Sequence, residues 1–164
     1  MLFSRRGFAL IEALVVLGLI GILLSIATPY YQVYMQNASY RAAAREIAAT
    51  LRQARAEAVT KNREQRVEIN LANNEVRLSQ GNEARGSNAW PQVQNWRTFP
   101  TLVDLRGLDG DNQCTVNADT LDLRFFPDGT ASNVAGICVQ NRAGERRFLV
   151  QLTSRTTGHV AVGR

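Results

Sequence analysis

Phe8-Ala9-Leu10-Ile11-Glu12-Ala13-Leu14-Val15-Val16-Leu17-Gly18-Leu19-Ile20-Gly21-Ile22-Leu23-Leu24-Ser25-Ile26-Ala27 is an apolar run in which Glu12 is the only charge. About twenty such residues make roughly 30 Å of helix at 1.5 Å per residue, enough to cross the hydrocarbon of a bilayer. Arg5 and Arg6 stand just before it. Positive charge on the short N-terminal side sets that end in the cytoplasm and sends the rest of the chain across the membrane. A secretory signal has a shorter apolar core and a small-residue cleavage site after it, so this longer run with an internal acid fits that class poorly.

Beyond Pro29 the helical period continues to about Asn62: Tyr40, Ala44, Ile47, Leu51, Ala54 and Ala58 recur at three- and four-residue steps on one face. Pro29 lacks a backbone donor and crowds the preceding turn, so a kink or loosened segment is expected there. After Arg66 the period changes to two. Val67, Ile69 and Leu71 alternate with polar residues, Asn73 and Asn74 make a turn, and Val76 and Leu78 alternate again, which predicts a β-hairpin. Residues 81–96 are rich in Gly, Asn, Ser and Gln and read as a long surface loop anchored by Trp90 and Trp96. Further strands are expected at Phe99 to Leu105, Leu121 to Phe126, Gly136 to Gln140, Phe148 to Thr153 and His159 to Val162. Turns at Asp128-Gly129, Ala143-Gly144 and Thr157-Gly158 separate the later ones. The expected class is α+β: one long helix, a membrane half followed by an amphipathic half, packed on an antiparallel β-sheet domain.

The octet Arg5-Arg6-Gly7-Phe8-Ala9-Leu10-Ile11-Glu12 resembles the processing signal of type IV prepilins and pseudopilins. The resemblance implies that a prepilin peptidase cuts between Gly7 and Phe8 and methylates the new amine of Phe8. Glu12 would then be the fifth mature residue. Physical reasoning agrees, because a carboxylate within an apolar helix needs a partner and the nearest cation at that depth is the Phe8 amine of this or a neighbouring chain. A neighbour's amine would set the axial register of a filament. Pro29 falls where pilins often carry a proline that lets the helix unwind. Gly18, Gly21 and Ser25 allow close approach of neighbouring helices.

Three later stretches narrow the resemblance: Leu51-Arg52-Gln53-Ala54-Arg55-Ala56-Glu57-Ala58-Val59, Leu123-Arg124-Phe125-Phe126-Pro127-Asp128-Gly129 and Thr157-Gly158-His159-Val160-Ala161-Val162. Together they resemble the GspH/FimT group of minor pseudopilins and minor pilins. The implied fold is type IV pilin-like, with residues 1–7 as leader, 8–29 as the transmembrane and filament-core helix, and 30–164 as the extracytoplasmic globular domain, helical over 30–62. The implied location is the inner membrane, single-pass with the C-terminal domain in the periplasm, and then a type IV pilus or type II secretion pseudopilus. Expected partners are the prepilin peptidase and other pilins or pseudopilins, met through the N-terminal helix. Low-abundance subunits of this kind join a tip complex and help to start assembly.

Charge and cysteines refine the expectation. Of the 19 basic residues only Lys61 is a lysine, so the +5 formal charge is almost wholly guanidinium, suited to ion-pair networks and phosphate alike. Loss of Arg5 and Arg6 with the leader leaves a mildly basic mature chain. At 100° per residue Arg41, Arg45, Arg52 and Arg55 share one stripe, with Glu46, Glu57 and Glu64 on the opposite flank. Such stripes pair between filament neighbours or stay solvated. Cys114 and Cys138, outside the cytoplasm, can form a disulfide, and closing a loop of about 25 residues stabilises by roughly 3 to 4 kcal/mol.

No enzyme chemistry is legible. His159 is the sole histidine, no Gly-x-Ser-x-Gly elbow or phosphate loop occurs, and Asp109-Gly110-Asp111-Asn112 lacks the later carboxylate of a calcium loop because position 120 is Thr. No metal or cofactor is expected. The alternative is a DNA-binding minor pilin. DNA-binding members of the FimT group carry Gly-Arg-x-Arg near the C-terminus, where this chain reads Gly158-His159-Val160-Ala161 and keeps only Arg164. Arg142, Arg146, Arg147 and Arg155 are the candidates for a substitute patch. A plain single-span membrane protein with a periplasmic ligand domain is the third reading.

Overall fold

The computed structural model describes residues 6–116 and 120–163, and the side chains from Leu10 onward. Arg5, Arg164 and the Phe8 side chain therefore lie outside the described residues. The first element, α1, is Arg6–Lys61, and it is helical without interruption through Pro29. The chain forms two units, Met1–Ala38 and Ser39–Arg164.

In the first unit the described chain is helix alone, and its large apolar side chains from Leu10 to Ile26 are 45–66% exposed. In the second unit the rest of α1 buries Tyr40, Ala43, Ala44, Ile47, Ala48, Leu51, Ala54 and Ala58. Most of these are alanines, so the helix backbone approaches the sheets closely and only three large side chains fill the gap. The helix stops where Asn62 enters the left-handed region at φ 51° and Arg63 N–H donates to the Ala58 carbonyl at 3.3 Å. That is a Schellman cap, built on the asparagine that best tolerates positive φ after glycine.

Among the described residues nine strands follow: β1 Gln65–Asn70, β2 Glu75–Gln80, β3 Gln92–Val93, β4 Arg97–Thr98, β5 Asp104–Gly107, β6 Thr120–Phe125, β7 Ala135–Gln140, β8 Arg146–Leu152 and β9 Val160–Gly163. They make the expected antiparallel β domain as two sheets. The first has the order β3-β2-β1-β6 with β4 also on β2, and the second has β5-β7-β8-β9. Alternation explains the first sheet's two faces. Val67 lies opposite Leu78 and Leu123, and Ile69 opposite Val76 and Leu121, all turned to the core. The residues between them, Arg66, Glu68, Arg77, Ser79, Asp122 and Arg124, share the other face.

The expected strand over Phe99 to Leu105 is a correction. Pro100 has no donor to give a ladder, and Val103 N–H turns back to the Pro100 carbonyl at 2.9 Å. Strand structure resumes only at Asp104, in the other sheet. Cys114 and Cys138 form the disulfide, tying the loop after β5 to the middle of β7. Cys138 is fully buried there.

Candidate assembly segment and the surfaces of the globular unit

The exposed apolar stretch of α1 is the most unusual surface of the molecule, because soluble proteins do not leave a continuous stripe of Leu, Ile and Val uncovered on all sides. None of its most apolar window is buried within the chain. Its hydroxyls are already satisfied: Ser25 donates to the Ile22 carbonyl and Thr28 to the Leu24 carbonyl, both at 2.7 Å. The segment thus offers an apolar surround almost nothing polar except Glu12, which is exposed on it. A Cβ built at Gly18 or Gly21 meets nothing within 4 Å, so both small faces are open to a neighbour.

Tyr30, Tyr31 and Tyr34, all exposed, follow directly after Pro29. Sequence reading passed over them. Twenty residues separate Leu10 from Tyr30, so the phenols stand about 30 Å along the helix from its first apolar turns. Rings with a polar tip at that spacing suit the far membrane–water interface.

In the globular unit Arg41, Arg45, Arg52 and Arg55 of the basic stripe of α1 are all exposed, and two of them bond within the chain. Arg52 donates to the Val160 carbonyl and Arg55 to the Gly129 carbonyl, each at 3.2 Å. Gly158, at φ 56°, permits this: an added Cβ there would lie 2.9 Å from the Gly129 carbonyl oxygen and 3.0 Å from Arg55 Cδ. Glu46 pairs with Arg97 at 3.1 Å and Glu57 with Lys61 at 2.7 Å. Glu64 does not belong to the acidic flank, because α1 has already ended. It is buried, accepts from Ser87 N–H at 2.8 Å and faces Arg124 at 3.4 Å, which folds the 81–89 loop back over it.

The polar face of the first sheet is a charge network under two tryptophans. Glu68 accepts two hydrogen bonds from Arg77, at 2.6 and 2.9 Å, and one from Ser79 at 3.1 Å, and it faces Arg66 at 3.2 Å. Arg66 stacks on Trp90 at 4.3 Å and Arg77 on Trp96 at 4.2 Å. The expected tryptophan anchors hold the loop, then, through guanidinium faces rather than through the core. Burial pushes the Glu68 carboxyl up, but the Arg77 hydrogen bonds, the Arg66 and Arg77 charges and Ser79 outweigh it and hold the group below the usual glutamate range. A carboxylate depressed in the folded state stabilises fully above its unfolded value, about 4.3, and loses that contribution as pH falls through the folded value. The urea midpoint of the full chain should therefore drop as pH is lowered below about 5. Glu68→Gln should shallow that acid slope, without abolishing it, since Asp109 and Asp128 are depressed as well. An unchanged slope in the variant would remove Glu68 from the account.

Asp109 accepts from Asp111 N–H at 3.0 Å, Gln113 N–H at 2.7 Å and the Thr115 hydroxyl at 2.6 Å, which closes its loop on the protein's own donors. Among the described residues no set of His, Cys, Asp and Glu is placed to hold a metal ion.

The family model for type II transport protein GspH matches residues 43–156, from the buried face of α1 to the loop after β8. The chain belongs to the GspH family. The prokaryotic N-terminal methylation motif matches residues 2–28, the stretch that holds Gly7, Phe8 and Glu12. No curated protein matches the chain significantly. Among solved structures, this GspH-family chain is similar to the minor pseudopilin EpsH from the type 2 secretion system of Vibrio cholerae, at 13% identity, TM-score 0.58, over 77% of this chain and 97% of that one. It is also similar to the type IV minor pilin FimU of Pseudomonas aeruginosa, at 18% identity, TM-score 0.52, over 80% and 92%. At such identities the likeness establishes the type IV pilin-like fold. The family is one of structural pilin and pseudopilin subunits, and this member is not an enzyme.

Of the arginines named for DNA, Arg142, Arg146 and Arg147 flank the turn between β7 and β8 of this GspH-family fold. Arg142 donates to the Thr101 carbonyl at 2.9 Å, and Arg147 pairs with Glu145 at 2.7 Å. Arg146 opens β8 while Arg155 follows its far end, about 20 Å away along the strand at 3.3 Å per residue.

Proposed function

We propose that the chain is a minor pilin or pseudopilin, cut between Gly7 and Phe8, methylated on Phe8, and built into a type IV pilus or a type II secretion pseudopilus as part of the tip or initiation complex. The observation that carries this reading is the exposed apolar half of α1 with one carboxylate, Glu12, near its start. Such a helix has two stable environments. In the inner membrane, before assembly, lipid covers it with the globular unit on the periplasmic side; in a filament, the same helices of other subunits do. Glu12 favours the second, where a neighbour's Phe8 amine neutralises it. Both similar structures, a minor pseudopilin and a minor pilin, are filament subunits by their names, which supports the class and leaves either machine open.

Intact mass of the protein extracted from membranes tests the processing step. The expected species lacks residues 1–7 and carries one added methyl group. Gly7→Leu should give only the full-length, unmethylated chain in the membrane fraction. A wild-type protein that keeps its first seven residues would refute the proposal.

A further inference from the structure

Arg52 and Arg55, three residues apart on α1, are both pinned by main-chain carbonyls from far along the chain: Arg52 Nη2 by Val160 and Arg55 Nε by Gly129. These bonds fix the two guanidinium planes while most of their five N–H donors stay unused. Neither has a carboxylate partner among the described residues. Arg85, Arg97 and Arg147, also exposed, each hold one.

The two arginines line a cleft of about 480 Å³ where α1 meets the start of β9, and the rest of its lining is largely apolar, from Ala56, Val59, Gly158 and Val160. Val59 is 51% exposed there, the one exposed large apolar side chain that α1 carries after Ala38 among the described residues. A Cβ built on Gly129 would lie 3.5 Å from Arg55 Nη2 and 3.9 Å from Val59, so the charge and the apolar wall adjoin. His159 completes the lining, and the Thr153 hydroxyl, 3.1 Å from its Nδ1, leaves Nε2 for another partner. Fixed guanidinium forks beside an apolar wall suit a planar anion on a short hydrocarbon stem. A carboxylate meets such a fork edge to edge, and the methylenes of a glutamate can cover Val59. Phosphate presents oxygen on every side and would leave that wall wet. Duplex DNA fits less well still, since its binders neutralise about six to ten phosphates and this cleft offers two guanidiniums.

We infer that this cleft is a carboxylate-binding site, and that it takes a glutamate side chain presented by a neighbouring subunit of the filament. The chemistry of the site stands on the cleft itself. Its carrier rests on the filament reading, because α1 is the helix proposed to pack beside other subunits.

The test uses the full-length chain in detergent micelles, with arginine side-chain N–H groups labelled for nuclear magnetic resonance. The probes are acetyl-Ser-Ala-Glu-Ala-Ser-amide, the same peptide with Gln in the centre, inorganic phosphate and a short duplex DNA. The Glu peptide should shift the Arg52 and Arg55 signals saturably, with a dissociation constant on the order of 1 mM, and the Gln peptide and phosphate should bind about 10-fold more weakly. Val59→Glu, at an exposed position one turn from Arg55, puts a carboxylate into the cleft and should weaken the Glu peptide about 10-fold. Arg146→Gln, on β8, changes the net charge by the same amount and should bind as the wild type does. No saturable shift, equal affinity for the Glu and Gln peptides, undiminished binding to Val59→Glu, or tighter binding of phosphate or duplex would each overturn the assignment. The titration needs neither processing nor a filament, so its failure leaves the cleavage proposal standing, and a retained leader would remove the proposed carrier and leave the carboxylate site.

Discussion

Glu12→Val is expected to be processed like the wild type and held in the membrane at least as well, yet to enter filaments about 100-fold less. The two halves of that result have one cause. A carboxylate near the start of an apolar helix costs about 2.5 to 3.5 kcal/mol in lipid, less where it reaches the interface, so valine relieves the membrane-bound state. The filament loses its counter-charge instead, leaving each neighbour's Phe8 ammonium buried without a partner, and stranding a charge in this way costs about 3 to 5 kcal/mol. At 1.4 kcal/mol for each factor of ten, even the low end of that cost exceeds a hundredfold. Glu12→Asp should recover part of the incorporation, because the charge survives at shorter reach. Quantitative immunoblots of sheared filaments against membrane fractions read both effects. Normal incorporation of Glu12→Val would remove the register role from this carboxylate.

The membrane half of the helix was legible because its signal is compositional: an uninterrupted apolar run is visible without knowing what it touches. So was the octet that falls within the matched N-terminal methylation motif. The hairpin of β1 and β2 was legible for a local reason, since Asn73 and Asn74 fix the turn and the alternation fixes the face. What the sequence could not show is which strands meet across distance. β6 returns to lie beside β1 although more than forty residues separate them, and β5 leaves for a second sheet, with alternation equally good for either. Alternation reports a face, never a neighbour. The same limit hid the fate of the charges. Arg52 and Arg55 read as a free basic stripe by helical angle, yet their acceptors are the Val160 and Gly129 carbonyls, supplied by loops far along the chain. Glu64 was placed on the acidic flank by helical angle alone, although the helical period ends at about Asn62, the left-handed cap. The tyrosines after Pro29 were readable in principle, as aromatics one bilayer thickness from the positively charged end.

Leu51→Ala should destabilise the globular unit by about 3 kcal/mol, with an expected fall in its melting temperature on the order of 10 °C. The size follows from the composition of the α1 face. Ala43, Ala44, Ala48, Ala54 and Ala58 bring the helix backbone close to the sheets, so the space between is filled by few large side chains, and Leu51 and Ile47 are the two with no exposure at all. Removing one leaves a cavity that neighbouring alanines cannot fill, and a sheet already fixed by its ladders relaxes little into it. Val59→Ala, half-exposed on the same helix, is the control and should change stability by less than about 0.5 kcal/mol. Thermal melts of the two variants in detergent, followed by the circular dichroism of the sheets, give the comparison. Equal melting temperatures would mean that α1 does not pack on the sheets through this face. The contrast with Glu12 is then an assay of how one continuous helix divides its work. Leu51→Ala lowers the amount of protein in membrane and filament alike, because the unfolded fraction is degraded, whereas Glu12→Val leaves the amount unchanged and moves only its distribution.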